Sequence, residues 1–147
     1  MESGLKVFKG VSITPLKKIN NNKGDVFHVL KCTEESFRGF GEVYCTTVHF
    51  GSFKGWKKHT RMLMNLVVLV GEVEFYFYNE LLKQSFVIKA GQNNYIRLTV
   101  EPGLWVAFKG VEHGLNLILN IANIQHDPSE SINVEIDRFP LVNNGIY

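Results

Sequence analysis

The sequence predicts an all-β protein, an antiparallel sandwich or barrel, on three observations. Short runs rich in β-branched and aromatic residues recur at close spacing; turns of Gly, Pro and Asn separate them; and hardly a helical period appears anywhere. At 147 residues the chain is long enough to bury a substantial core without staples, and it reads as one domain over 1–147. A hydrophobic content of 45%, with 11 Phe, supplies the large side chains that such a core needs.

Taken in order, residues 7–19 alternate loosely and contain Pro15, which predicts a leading edge strand and a bend. Residues 20–25, Asn-Asn-Asn-Lys-Gly-Asp, are a strong turn signal, and residues 26–31 read as a strand. Residues 33–41 form the one acidic patch with helix-start character, cut short by its glycines. Residues 42–50 read as a strand in which Tyr44, Thr46 and Val48 share one face, and Val43, Cys45, Thr47 and His49 the other. Residues 66–79 read as two strands around a Gly71-Glu72 turn, with Val73, Phe75 and Phe77 opposed to Glu72, Glu74, Tyr76 and Tyr78. That second face reads as solvated, which weakens Tyr76 and Tyr78 as acids. Further strands follow at 86–89, 95–100, 104–108 and 115–122. His126-Asp127-Pro128 then breaks the pattern, and the tail has no clear period.

Residues 51–71 organise the rest. They run from a glycine turn through Lys54, Lys57, Lys58, His59 and Arg61 into an apolar run closed by Gly71, which is how a strand, a polar site and a buried strand look in succession. No other stretch concentrates so much charge of one sign. The net charge of +2 is too mild for a nucleic-acid surface, so this cluster predicts a site for a small anion. No apolar run has the length of a membrane span. The N-terminus lacks an apolar segment of signal-peptide type, and Cys32 and Cys45 have no metal or redox spacing; the expectation is a cytoplasmic protein with reduced thiols.

The spacing of Gly51, Lys57-Lys58-His59, Met64 and Gly71 resembles the first cupin motif, and Gly91 with Pro102-Gly103 resembles the second. More narrowly, Lys23-Gly24-Asp25, Lys54-Gly55-Trp56, Val70-Gly71-Glu72-Val73, Glu101-Pro102-Gly103-Leu104-Trp105 and His126-Asp127-Pro128 resemble, in this order, segments of the dTDP-4-dehydrorhamnose 3,5-epimerase and 3,4-ketoisomerase group over roughly residues 23–128. The resemblance implies a jelly-roll cupin, a homodimer, acting on a nucleotide-linked 4-keto-6-deoxy sugar in surface-polysaccharide biosynthesis. It places Lys23 and Lys54 where the family has arginines that grip the diphosphate; lysine can do so as a point charge. Lys57 stands in place of the family's first-motif His, Met64 in place of its metal-binding Glu, and no ligand stands near Val106, so no metal is expected. The tail beyond Asp137 looks too short to supply the carboxylate that orients the family's base.

Epimerising or isomerising a keto sugar requires proton removal beside the carbonyl, stabilisation of the enolate, and return of a proton. His59 is the natural acid or base, and flanking cations favour its neutral form. Lys57 is placed to stabilise the enolate oxygen or to act as base itself. His126, near the family's catalytic tyrosine, is a second acid candidate, although His126-Asp127-Pro128 equally fits a turn with an Asx cap. Lys23, Lys54, Arg61, Tyr44, Thr46 and Asn65 are the expected substrate-binding residues, and no cofactor is expected. His28, His49 and His113 lack partner spacing and read as structural; Trp56 and Trp105 read as packing. The alternative to an enzyme is a binding cupin that keeps nucleotide-sugar affinity but has lost the catalytic His. A purely structural cupin would need an apolar cavity.

Overall fold

A computed structural model describes residues 4–144. Its strands, in chain order, are β1 (Leu5–Phe8), β2 (Val11–Pro15), β3 (Lys18–Ile19), β4 (Val26–Phe27), β5 (Glu42–Thr47), β6 (Phe53–His59), β7 (Met64–Val70), β8 (Glu72–Asn79), β9 (Gln84–Gly91), β10 (Ile96–Val100), β11 (Trp105–Gly110), β12 (Leu117–Ala122) and β13 (Ser131–Asn133). Two short 3₁₀ turns, Pro128–Glu130 and Ile136–Arg138, complete the regular structure, and no α-helix occurs among the described residues. No helix there is long and apolar enough to cross a membrane.

The strands form a six-stranded sheet in the order β1-β2-β10-β7-β12-β5, a five-stranded sheet in the order β13-β6-β11-β8-β9 and a small β3-β4 ribbon, with every ladder pairing antiparallel. This is the cupin jelly roll. Its core lies between the sheets, because alternate residues of each strand point inward: Met64, Leu66 and Val68 from β7, Val73, Phe75 and Phe77 from β8, and Leu98 and Val100 from β10.

Four expectations are corrected. β7 and β8 do not pair as a hairpin; Gly71 turns a corner that carries the chain from one sheet to the other. Gly71 has φ +80°, and a Cβ there would lie 2.3 Å from the Leu115 carbonyl oxygen, so only glycine fits. The outer face of β8 is not solvated. Tyr76, with Trp56 and Trp105, packs under Val134, Ile136, Phe139 and Leu141 of the tail, forming a second small core on the far side of the sheet. A tail without a period is what a strap laid across a sheet face looks like, since its contacts are set by the surface beneath. Residues 33–41 form successive turns, not a helix, and the strand at 26–31 stops at Phe27.

Those turns are pinned by Arg97, which is fully buried on the outer face of the six-stranded sheet. Its guanidinium donates to the Val29 carbonyl (2.6 Å), Ser36 Oγ (2.6 Å) and Glu34 Oε2 (2.8 Å). Burial opposes ionisation of Glu34, but hydrogen bonds from Arg97 and the Lys31 backbone N–H outweigh it and hold this carboxyl below its ordinary range. Cys32 and Cys45 are free and exposed.

Candidate functional site

β6 carries the site, and its local geometry departs from a regular strand. Along β11, Val106 faces Lys57 and Phe108 faces Lys54, so three steps on β6 match two on β11. The extra residue is a β-bulge. In a regular strand residues three apart point to opposite faces; the bulge turns both Lys54 and Lys57 inward, and regular alternation from Lys57 then turns His59 inward as well. Trp56 and Lys58 point outward, where the Trp56 indole donates to the Ile136 carbonyl (2.8 Å) and the Lys58 ammonium lies 4.9 Å from the Trp105 ring centre. Gly55, with φ +125°, makes the bulge possible: a Cβ there would come within 2.7 Å of both Cα and Cβ of Ala107.

The inward groups open on a cavity of about 350 Å³ between the two sheets. Tyr44 and Thr46 from β5, Asn120 from β12 and Asn133 from β13 join the cations on its wall, and Met64, Leu66, Phe75, Val106, Phe108 and Ile118 supply the apolar remainder. Lys54 is exposed and Lys57 half-buried, and among the described residues neither has an ion-pair partner. Their charge is therefore free for an anion.

His59 is buried, and its Nδ1 makes a short hydrogen bond to Oε1 of Glu130. Glu130 is 2% exposed. Its other oxygen accepts from the backbone N–H groups of Thr60 (3.1 Å), Arg61 (3.0 Å) and Met62 (3.2 Å), the turn between β6 and β7. Burial opposes ionisation of Glu130, but the hydrogen bonds from His59, Arg61 and Met62 outweigh it, and the carboxyl is held below its ordinary range. A carboxylate at Nδ1 makes Nδ1 the donor and leaves Nε2 as the second ring nitrogen, able to take a proton while Glu130 stabilises the resulting imidazolium. The orienting carboxylate thus comes from the 3₁₀ turn at Pro128–Glu130, ahead of the tail where the family resemblance seeks it.

The structure brings His59, Lys57, Lys54, Tyr44 and Thr46 together and leaves Asn65, Arg61, His126 and Lys23 outside the cavity. Asn65 alternates with Met64 and Leu66, so it faces outward, accepting from Thr99 Oγ1 (2.6 Å) and donating to the Ser36 carbonyl (3.0 Å). Arg61 sits in the β6–β7 turn, with its side chain exposed and paired to Asp127 at 3.0 Å. His126 is exposed; its backbone N–H donates to Glu42, and Asp127 caps the 3₁₀ turn by accepting from the Ser129 N–H, as the Asx reading expects. Lys23 is exposed in a turn closed by Asn21 and Asp25 side chains. Glu130, Asn120 and Asn133 were missed by sequence reasoning. Asn120 carried a signal, a polar residue on the inward face of an otherwise apolar strand; Glu130 carried none, since its contact with His59 spans 71 residues. No three His, Cys, Asp or Glu side chains converge among the described residues.

No family model and no curated protein sequence matches the chain significantly. Solved structures do. A dTDP-sugar isomerase from Desulfovibrio desulfuricans G20 is 26% identical, with a TM-score of 0.85 over 89% of this chain and 87% of that one. The chain has the cupin fold of the dTDP-sugar isomerases and epimerases. QdtA, a sugar 3,4-ketoisomerase from Thermoanaerobacterium thermosaccharolyticum crystallised with TDP, is 19% identical, with a TM-score of 0.72 over 84% and 87%. ChmJ, a 3'-monoepimerase from Streptomyces bikiniensis crystallised with dTDP-quinovose, is 12% identical, with a TM-score of 0.79 over 92% and 74%. These two share the fold.

Proposed function

We infer that the protein is a nucleotide-sugar isomerase or epimerase, acting on a nucleotide-linked 4-keto-6-deoxy sugar by proton transfer beside the ketone. The observation that carries this reading is the His59–Glu130 pair on the wall of a cavity that Lys57 and Lys54 also line. His59 Nε2 takes the proton from the carbon next to the ketone, and Glu130 stabilises the imidazolium. Lys57, two residues away on the same face of β6, stabilises the enolate oxygen. In isomerisation the imidazolium gives its proton to the former carbonyl carbon while the neighbouring hydroxyl proton passes to the enolate oxygen. In epimerisation the original carbon takes a proton from water on its opposite face while the imidazolium loses its own to solvent. Lys54, at the exposed side of the cavity, serves the diphosphate as a point charge. The similarity to a dTDP-sugar isomerase supports the reaction class. The protein is expected to act as a homodimer, which sedimentation would measure.

A second reading, a nucleotide-sugar-binding cupin without catalysis, is favoured by one observation: Lys57 occupies the place of the family's first-motif His, so the cavity holds a single imidazole. The deciding experiment screens thymidine, uridine, guanosine and cytidine diphosphates and their sugars by thermal shift, then follows proton exchange in heavy water with the 4-keto sugar that binds. Deuterium uptake beside the ketone that vanishes in His59→Asn supports the enzyme; stabilisation without uptake supports the binding module. No stabilisation by any nucleotide removes both.

A further inference from the structure

We propose that Asn120 and Tyr44 form a hydroxyl-binding subsite that reads one OH group of the sugar, a specificity determinant resting on the nucleotide-sugar reading above. The two residues lie directly opposite each other on the paired strands β12 and β5, so the ladder fixes their separation. Asn120 Nδ2 donates to the Tyr44 phenol oxygen at 3.0 Å and lies 3.9 Å from Met62 Sδ. Asn120 Oδ1 is buried and has no hydrogen-bond partner, although the residue is 97% buried and lines the cavity.

An unmatched acceptor in such a place is costly, and native proteins rarely leave one without a use. Its neighbours on the inward face of β12 are Ile118 and Ala122, so an apolar residue would complete that face. Tyr44, having accepted from Asn120, keeps its own O–H for another acceptor. A lone acceptor and a free donor therefore lie side by side in this wall of the cavity, within reach of a sugar hydroxyl once the amide turns toward it. An alcohol satisfies both, donating its hydrogen to Oδ1 and accepting from Tyr44. A ketone, a phosphate oxygen or a ring oxygen supplies no hydrogen for Oδ1. With the amide turned over, Tyr44 would donate to Oδ1 and the unmatched group would become an N–H, which an alcohol oxygen also satisfies. The subsite belongs to the six-stranded sheet, while Lys57 and His59 belong to the five-stranded one, so it holds the sugar from the wall opposite the acid-base groups.

The test compares wild type, Asn120→Leu and Tyr44→Phe, by calorimetry, for binding of dTDP and of dTDP-4-keto-6-deoxyglucose. The subsite predicts that Asn120→Leu leaves the Kd for dTDP unchanged and raises that for the sugar conjugate about tenfold, the usual worth of such a hydrogen bond. Without ligand, Asn120→Leu is expected to melt no lower than wild type, since it removes an unmatched buried group. Tyr44→Phe, which deletes one oxygen from a half-buried residue, is expected to shift the same Kd in the same direction and keeps the test alive if Asn120→Leu fails to fold. Unchanged binding of the conjugate by the variants, or equal weakening of both ligands, overturns the subsite while leaving the nucleotide-sugar reading intact. Wild type that binds neither these ligands nor the diphosphate and sugar conjugate of any other base in the thermal-shift screen overturns that reading and the subsite with it; where another base is selected, the same comparison is made with its conjugate.

Discussion

Glu130→Gln is the sharpest single perturbation of this site, because it keeps the side-chain shape and removes one charge. In the native protein one carboxylate oxygen serves three backbone N–H groups and the other serves His59. An amide has one acceptor atom. If it faces the backbone donors, its NH₂ faces Nδ1 and forces that nitrogen to become an acceptor; Nε2 then carries the hydrogen and cannot take another as a base. Turnover of a 4-keto sugar is expected to fall about a thousandfold or more, as it does when a base is held in the wrong tautomer. Hydrogen bonds to a buried charge are worth about 1.5–3 kcal/mol, against about 1 for neutral ones, so the variant is expected to lose about 2 kcal/mol of stability. For a chain of this size that is about 4–8 °C in Tm. The sign of the pH dependence follows from the direction of the shift. Glu130 ionises more readily folded than unfolded, so its contribution is complete above the unfolded value of about 4.3 and is lost as pH falls through the lower folded value. The Tm gap between wild type and variant should therefore be widest near neutrality and close in acid. Glu34, also depressed, is common to both proteins and cancels in the difference. A gap that stays constant from neutral pH into acid, or deuterium exchange within tenfold of wild type, would refute the assigned role of Glu130.

Other substitutions test the surroundings. Gly55→Ala must strain φ and push against Ala107, so it is expected to cost about 2 kcal/mol or more and to weaken diphosphate binding by turning Lys54 away, measured by denaturant unfolding and calorimetry. Glu34→Gln leaves the fully buried Arg97 without its counter-ion and is expected to cost about 3 kcal/mol, read as a lower denaturant midpoint with unchanged ligand affinity. Arg61→Ala removes a pair whose side chains are 58% and 43% exposed; stability should change by less than about 1 kcal/mol and turnover by less than a few-fold, whereas a large loss of turnover would return Arg61 to the site.

The sandwich was legible because its inward residues alternate cleanly, as in Val73, Phe75 and Phe77 of β8. The inward set on β5 was legible for the same reason: Tyr44 and Thr46 share a face and line the cavity. Alternation also should have excluded Asn65, since Met64 and Leu66 beside it are apolar and one of the two sets must face the core; its polarity beside a cation cluster outweighed that rule. The outer face of β8 misled for a different reason. Glu72 and Glu74 mark a wet face locally, and only the return of residues 134–141 across the sheet covers Tyr76, a contact that no local pattern encodes. His126 and Arg61 attracted attention as residue types, yet both sit where Asp127 organises an exposed turn.

Lys54 and Lys57 show why the site itself was half legible. Residues three apart on a strand belong to opposite faces, so alternation allows only one of them into a cavity. The bulge at Gly55 admits both and leaves the phase such that His59 follows Lys57 inward while Trp56 and Lys58 anchor the outer core. The bulge thus adds Lys54 to the cavity beside Lys57 and His59, which share a face by ordinary alternation. Lys57 and His59 stay on one face two residues apart, and β13, paired to β6 in register with Ser131 opposite His59, delivers Glu130 to Nδ1 from the adjoining turn. On the enzyme reading, His59 is the proton-transfer residue, and β13, the strand that edges β6 at that point, is what brings the Glu130 carboxylate to it.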